Sequence, residues 1–168
     1  MDLTITIPSN VMATIKEINE FAEEQIAELL VEIQKQRFKN QGKFLDHEKW
    51  ENNPKHIAYE KFYRKPLIQT GELKKEMTSI TNWGKEVKKQ QSGLQTKFSI
   101  PTTENFSDPK YNKQDIGETG GQWKGLRTGK DMSVKNVKKR PFKDTSKTDI
   151  AWVKQQLTQR IQAKFANG

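Results

Sequence analysis

The sequence predicts an α+β fold, in which a long N-terminal amphipathic helix and a C-terminal helix flank a small antiparallel sheet that carries a long extended loop. Three observations carry this prediction. Apolar residues recur three or four apart over residues 10–38 and again over 149–165, the spacing of one helical face. Between them, residues 78–100 mix β-favouring side chains with polar alternates. Residues 101–130 then hold Pro101, Pro109 and five glycines with few aliphatic residues.

Size and composition bound the rest. With 168 residues, four Trp, eight Phe and three Tyr, the chain can bury one ordinary core, so residues 1–168 read as a single domain. Only 32% of the residues are hydrophobic and 30% are charged, so connections should be polar, with part of their order supplied by neighbouring subunits. Met1-Asp2-Leu3-Thr4 is not a basic segment leading into an apolar run, and no stretch approaches the ~20 apolar residues of a spanning helix. Neither secretion nor a membrane span is expected. The absence of cysteine excludes disulfides and thiolate metal sites and suits a reducing cytoplasm.

In the first helix, Ile15, Ile18, Ala22, Ile26, Leu29 and Ile33 form the apolar stripe, and Pro8-Ser9-Asn10 supplies the expected N-cap. Its other face is acidic. Glu17, Glu20, Glu23, Glu24, Glu28 and Glu32 stand against Lys16 and Lys35 over residues 10–36, a local net charge of −4. Such a face is either solvated or a contact for a basic partner, and Glu20, Glu24 and Glu28 are the candidate contacts. Gln41-Gly42-Lys43 ends the pattern, and residues 44–53 around Trp50 read as a loop. A second helical run starts at Pro54 and stops at Pro66, and residues 72–77 suit one or two further helical turns.

Residues 78–100 read as one or two hairpins, with breaks at Asn82-Trp83-Gly84 and Ser92-Gly93. The glycine-rich stretch that follows, about 101–131, reads either as an arm reaching a neighbour or as a segment disordered in the free protein, and residues 132–137 return as a final strand. Ser146-Lys147-Thr148-Asp149 is a capping box with Asp in the third helical position. The terminal helix then presents Ile150, Val153, Leu157, Ile161 and Phe165, with Trp152 just off that line.

Catalytic constellations are not apparent. Asp46-His47-Glu48 and His56 hold the right residue types for metal or acid–base work, but the two histidines lie nine apart across a Pro-containing loop. Exposed polar positions beside Trp50 explain them, so no metal, cofactor or enzymatic activity is expected. Gly129-Lys130 fails as the end of a phosphate-binding loop, because Lys124 stands where the earlier glycine belongs and Asp131 replaces the Ser or Thr. Charge is more informative. Residues 124–147 carry nine cations against Asp131 and Asp144, a net +7 of the chain's total +9. Lys138, Lys139 and Arg140 are the centre of that run, which suits either an acidic protein surface or nucleic-acid phosphates.

Two motifs carry a resemblance. Lys65-Pro66-Leu67-Ile68-Gln69-Thr70-Gly71-Glu72-Leu73 resembles the Leu-Ile-x-Thr-Gly-x-Leu element of the virion morphogenesis, or tail-completion, family of Mu-like and related tailed phages. In the family this element follows a polar region with a Trp, here Trp50. Lys138-Lys139-Arg140-Pro141-Phe142, ahead of the terminal helix, resembles the family's Arg-x-Phe element. The family's middle Tyr-Ala and His-Gln-x-Gly element has no counterpart in residues 111–121. On their own chemistry, Pro66, Leu67, Ile68, Thr70, Gly71 and Leu73 make a structural corner: Pro66 ends a helix, Thr70 can cap the next, and Gly71 permits an unusual backbone. The resemblance implies a structural virion subunit that completes the tail at the head–tail neck. It also implies a homo-oligomeric ring around the DNA path, assembled in the host cytoplasm, contacting connector or neck proteins and tail tube or terminator proteins. A head–tail connector or tail terminator is the variant within this class. The alternative is a non-specific nucleic-acid-binding protein acting through residues 124–147.

Overall fold

The computed structural model describes residues 1–7, 13–50, 72–92, 95–100, 121–123, 126–127, 130–131, 135–137 and 145–166. Its order is β1 (Asp2–Ile5), α1 (Ile15–Lys39), α2 (Glu72–Met77), α3 (Ile80–Glu86), β2 (Lys88–Ser92) and β3 (Gln95–Ser99). Four short strands, β4 (Gly121–Trp123), β5 (Leu126–Arg127), β6 (Lys130–Asp131) and β7 (Lys135–Val137), precede α4 (Lys147–Phe165). The fold is α+β: the long first helix packs against α3 and the terminal helix, the terminal helix contacts β1, and β1, β2 and β3 form a three-stranded antiparallel sheet.

α1 begins at Thr14, not at the Pro8-Ser9-Asn10 expected to cap it. The Thr14 hydroxyl accepts from the Glu17 amide at 3.3 Å while Glu17 accepts from the Thr14 amide at 2.9 Å, a reciprocal capping box. Twenty-five residues at 1.5 Å each give a rod of about 37 Å. Its stripe is buried as the spacing requires: Ile18, Ala22, Ile26, Leu29 and Ile33 are all at most 2% exposed, whereas Ile15 lies outside on the first turn. The helix closes at Asn40, after which Gln41 and Gly42 take positive φ, and Gly42 N–H donates to the Arg37 carbonyl. A side chain at Gly42 is excluded twice over. Its φ is +100°, and a Cβ there would sit 2.7 Å from the Trp50 ring.

The sheet has the order β1-β3-β2, so β3 is central and pairs antiparallel with both neighbours. Leu3 and Ile5 of β1 and Thr96 and Phe98 of β3 point inward, alternating with exposed Asp2, Thr4, Gln95 and Lys97. The expected hairpin at Ser92-Gly93 is present as β2–β3, but β1 was not foreseen. The other half of residues 78–100 differs from expectation, since Ile80–Glu86 is helical. Ile, Thr and Trp favour strands only weakly and by context. Here Trp83, fully buried, donates its Nε1–H to the Met77 carbonyl at 2.7 Å, and Gly84 sets α3 close to Ala27 of α1. Tertiary packing decides the conformation.

The terminal helix has the anticipated capping box, with Asp149 N–H donating to the Ser146 hydroxyl at 3.0 Å and Ser146 N–H donating to Asp149 Oδ2 at 2.9 Å. α4 runs antiparallel to α1, as edge-to-face ring pairs at both ends establish. Phe44, just after α1, meets Trp152 near the start of α4, and Phe21 of α1 meets Phe165 at its end, with centroids 5.8 and 5.5 Å apart.

Within the stretch of about 101–131 expected as an arm, the described residues are those of β4, β5 and β6. β4 pairs with β7, and β5 with β6, each pair antiparallel. Residues 101–120 and the expected helix over 54–66 lie outside the described residues.

Candidate functional site

Among the described residues, two places bring chemistry-bearing side chains together. The first is the acidic face of α1. Ala27 and Gly84 are small, so α1 and α3 approach closely, and a Cβ on Gly84 would lie 3.9 Å from that of Ala27. Above this floor runs an open groove of about 520 Å³, lined by Glu20, Glu23, Glu24, Ala27, Glu28, Ile80 and Gly84. All three acidic contact candidates, Glu20, Glu24 and Glu28, are therefore on one surface. Ile80, 47% exposed, adds an apolar edge.

Part of that charge is already answered within the chain. Lys89 lies 3.5 Å from Glu23, and Arg160 of α4 lies 2.9 Å from Glu28 while its NH1 also donates to Gln25. Lys16 stands 3.9 Å from Glu20 with both side chains well exposed, a pair worth little in water. Glu24 has no ion-pair partner among the described residues. The groove thus keeps a net negative potential centred on Glu20 and Glu24.

The second place is the junction between the turn after α1 and the start of α4. His47 was expected to be an exposed polar residue beside Trp50. Instead its side chain is 10% exposed, and its Nε2 lies 2.6 Å from Asp149 Oδ2, on a carboxylate that is 1% exposed. Asp46, the neighbour on the surface, accepts from the Ser146 hydroxyl at 2.8 Å. Burial pushes the Asp46 carboxyl upward, but hydrogen bonds from the Ser146 and Thr148 hydroxyls and its own backbone, with His47 nearby, hold it below the usual carboxylate value. One ligand atom each from Asp46, His47 and Asp149 falls within 4.8 Å of the others. Asp149 Oδ1 is buried with no hydrogen-bond partner among the described residues.

A His–Asp pair also orients general bases. Here the Ser146 hydroxyl is occupied as a helix cap and as a donor to Asp46, and the Thr148 hydroxyl is bonded to Asp46, so no activated nucleophile is formed by the described residues. Sequence reasoning singled out Asp46-His47 and, separately, the Asp149 cap. It did not join them, because 102 residues separate His47 from Asp149 and no local spacing encodes the contact.

The remaining expected site residues lie elsewhere. Pro66, Leu67, Ile68, Thr70, Gly71, Lys138, Lys139, Arg140, Pro141, Phe142 and His56 are outside the described residues, and Leu73 is placed only as part of the α2 backbone. Among the described helices none is long and apolar enough to cross a membrane. Compared with known protein families, curated proteins and solved structures, the chain matches none at a significant level.

Proposed function

We propose that this protein is a non-enzymatic structural subunit of a tailed-phage particle, completing the tail at the head–tail neck as a ring of identical copies around the DNA path. The observation that carries the assembly part of this reading is the groove between α1 and α3. It is a shaped, open surface with carboxylates on its rim and small residues on its floor, suited to receive a cationic segment. The same chain supplies such a segment, residues 124–147 with net charge +7, so one copy can dock on the next around a closed ring. The tail-neck assignment itself is supported by the motif resemblance at residues 65–73 and 138–142. Connector or neck proteins on one side and tube or terminator proteins on the other are the partners such a ring meets.

The test is reversal of the two groove carboxylates not engaged by Lys89 or Arg160. Glu20→Lys with Glu24→Lys should lower incorporation into particles, and Lys138→Glu with Lys139→Glu in the same chain should restore part of it. Normal incorporation of the groove variant would overturn the reading. The +7 segment also favours a second reading, non-specific nucleic-acid binding. In that case the groove variant assembles normally, and duplex DNA binds with submicromolar affinity at physiological salt and a steep inverse salt slope.

A further inference from the structure

We propose that Asp46, His47 and Asp149 form a binding site for one divalent cation of the zinc class, which clips the turn after α1 to the first turn of α4. The proposal does not depend on the assembly role. It begins from the donor set: one imidazole and two carboxylates, whose candidate atoms all lie within 4.8 Å of one another. Nitrogen and oxygen donors bind zinc at about 2.0–2.2 Å and so stand about 3.4 Å apart around one tetrahedral ion, which a pair at the 4.8 Å limit reaches by closing in about 1.4 Å.

The second observation is the state of Asp149. Its carboxylate is 1% exposed, yet only Oδ2 is engaged, by the Ser146 amide and by His47. Oδ1 has no donor among the described residues. A buried anionic oxygen left without a donor is costly, and a cation is the partner that removes that cost while keeping the carboxylate charged. The Ser146–Asp149 capping box fixes the Asp149 carboxylate, and the edge-to-face pair of Phe44 and Trp152 ties the turn after α1 to the start of α4. Asp46 stands on the solvent side, where it closes the site and leaves open positions for water.

Two effects oppose the ion. The N-terminus of α4 carries a partial positive charge, and His47 must give up its contact with Asp149 Oδ2 to turn Nε2 to the metal. Against them stand two carboxylates, one of them desolvated, for which a divalent charge is the strongest available partner. The Ser146 and Thr148 hydroxyls, already bonded to Asp46, serve as its outer support.

The test uses the full chain freed of metal with a chelator and titrated calorimetrically with zinc chloride at neutral pH. One ion per chain is expected, with a rise of several degrees in the melting temperature at saturation and no comparable rise with magnesium. The deciding variant is Asp46→Asn, because Asp46 is exposed and its amide oxygen still accepts from Ser146. It should leave the melting temperature of the metal-free protein within a degree or two of the parent and weaken zinc binding by at least tenfold. His47→Gln should abolish binding. No stoichiometric binding to the parent, or binding of unchanged strength in Asp46→Asn, would overturn the proposal.

Discussion

His47 Nε2 and Asp149 Oδ2 meet at 2.6 Å across 102 residues, and through this contact the turn that ends the first helix is tied to the turn that starts the last. Asp149 is at once the partner of the imidazole and half of a capping box. With chelator present, Asp149→Ala should therefore destabilise the protein by roughly 2–4 kcal/mol, the sum of a lost cap and a buried imidazole left unpaired. Asp149→Asn keeps an acceptor for the Ser146 amide and should cost less than half as much. Urea unfolding of both variants measures the difference.

Two glycines are expected to respond in opposite directions. Gly42→Ala forces a left-handed φ of +100° on a residue with a Cβ and drives that Cβ to 2.7 Å from the Trp50 ring. The expected loss is about 2–4 kcal/mol. Gly84→Ala places a methyl in ordinary contact with Ala27 inside α3 and should stabilise by up to ~1 kcal/mol through helix propensity. Thermal melts of the two single variants suffice.

Trp83 joins packing to a hydrogen bond. It is fully buried and its indole N–H donates to the Met77 carbonyl at the end of α2. Trp83→Phe leaves both a void and an unanswered carbonyl, and should cost about 2–4 kcal/mol by urea unfolding. Because Asn82 also donates to the Glu76 carbonyl, hydrogen exchange in α2 should rise in the same variant.

The start of α1 supplies a pH dependence. The Thr14 hydroxyl and backbone amide bond the Glu17 carboxylate and hold it below its usual value of 4.5, outweighing a small opposing effect of desolvation. A depressed carboxyl stabilises the fold above its unfolded value, and that contribution is lost as pH falls through the folded value. The melting-temperature penalty of Glu17→Gln should accordingly be constant near neutrality, shrink below pH 4.5 and vanish in stronger acid.

How much of this was legible follows from the range over which each signal acts. The stripe Ile18, Ala22, Ile26, Leu29 and Ile33 lies within one helix, and its burial was readable from spacing alone. So was the Ser146–Asp149 cap. Thr14-Ile15-Lys16-Glu17 offered the same kind of signal and was passed over in favour of Pro8-Ser9-Asn10, a richer set of helix-starting residue types. β1 is four residues long, and its alternation of Asp2, Leu3, Thr4 and Ile5 gains meaning only beside β3. Residues 80–86 contain strand-favouring Ile, Thr and Trp and became helix through Trp83 and the close approach of Gly84 to α1. The acidic candidates Glu20, Glu24 and Glu28 were identified from charge, but the groove they share required the position of α3.

The register of β1 sets an order of events during synthesis. Leu3 lies opposite Phe98, and the Ile100 amide donates to the Met1 carbonyl at 2.8 Å, so the first strand has no partner until about a hundred residues have left the ribosome. α1 emerges early as well, while the helix that covers part of its apolar stripe, α4, begins more than a hundred residues later. A nascent chain must therefore carry that helical face uncovered by α4 while the intervening residues are made, at ~5–20 residues per second. The high density of Glu on the opposite face of α1 then acts before any native contact exists, keeping unfinished chains apart by mutual repulsion.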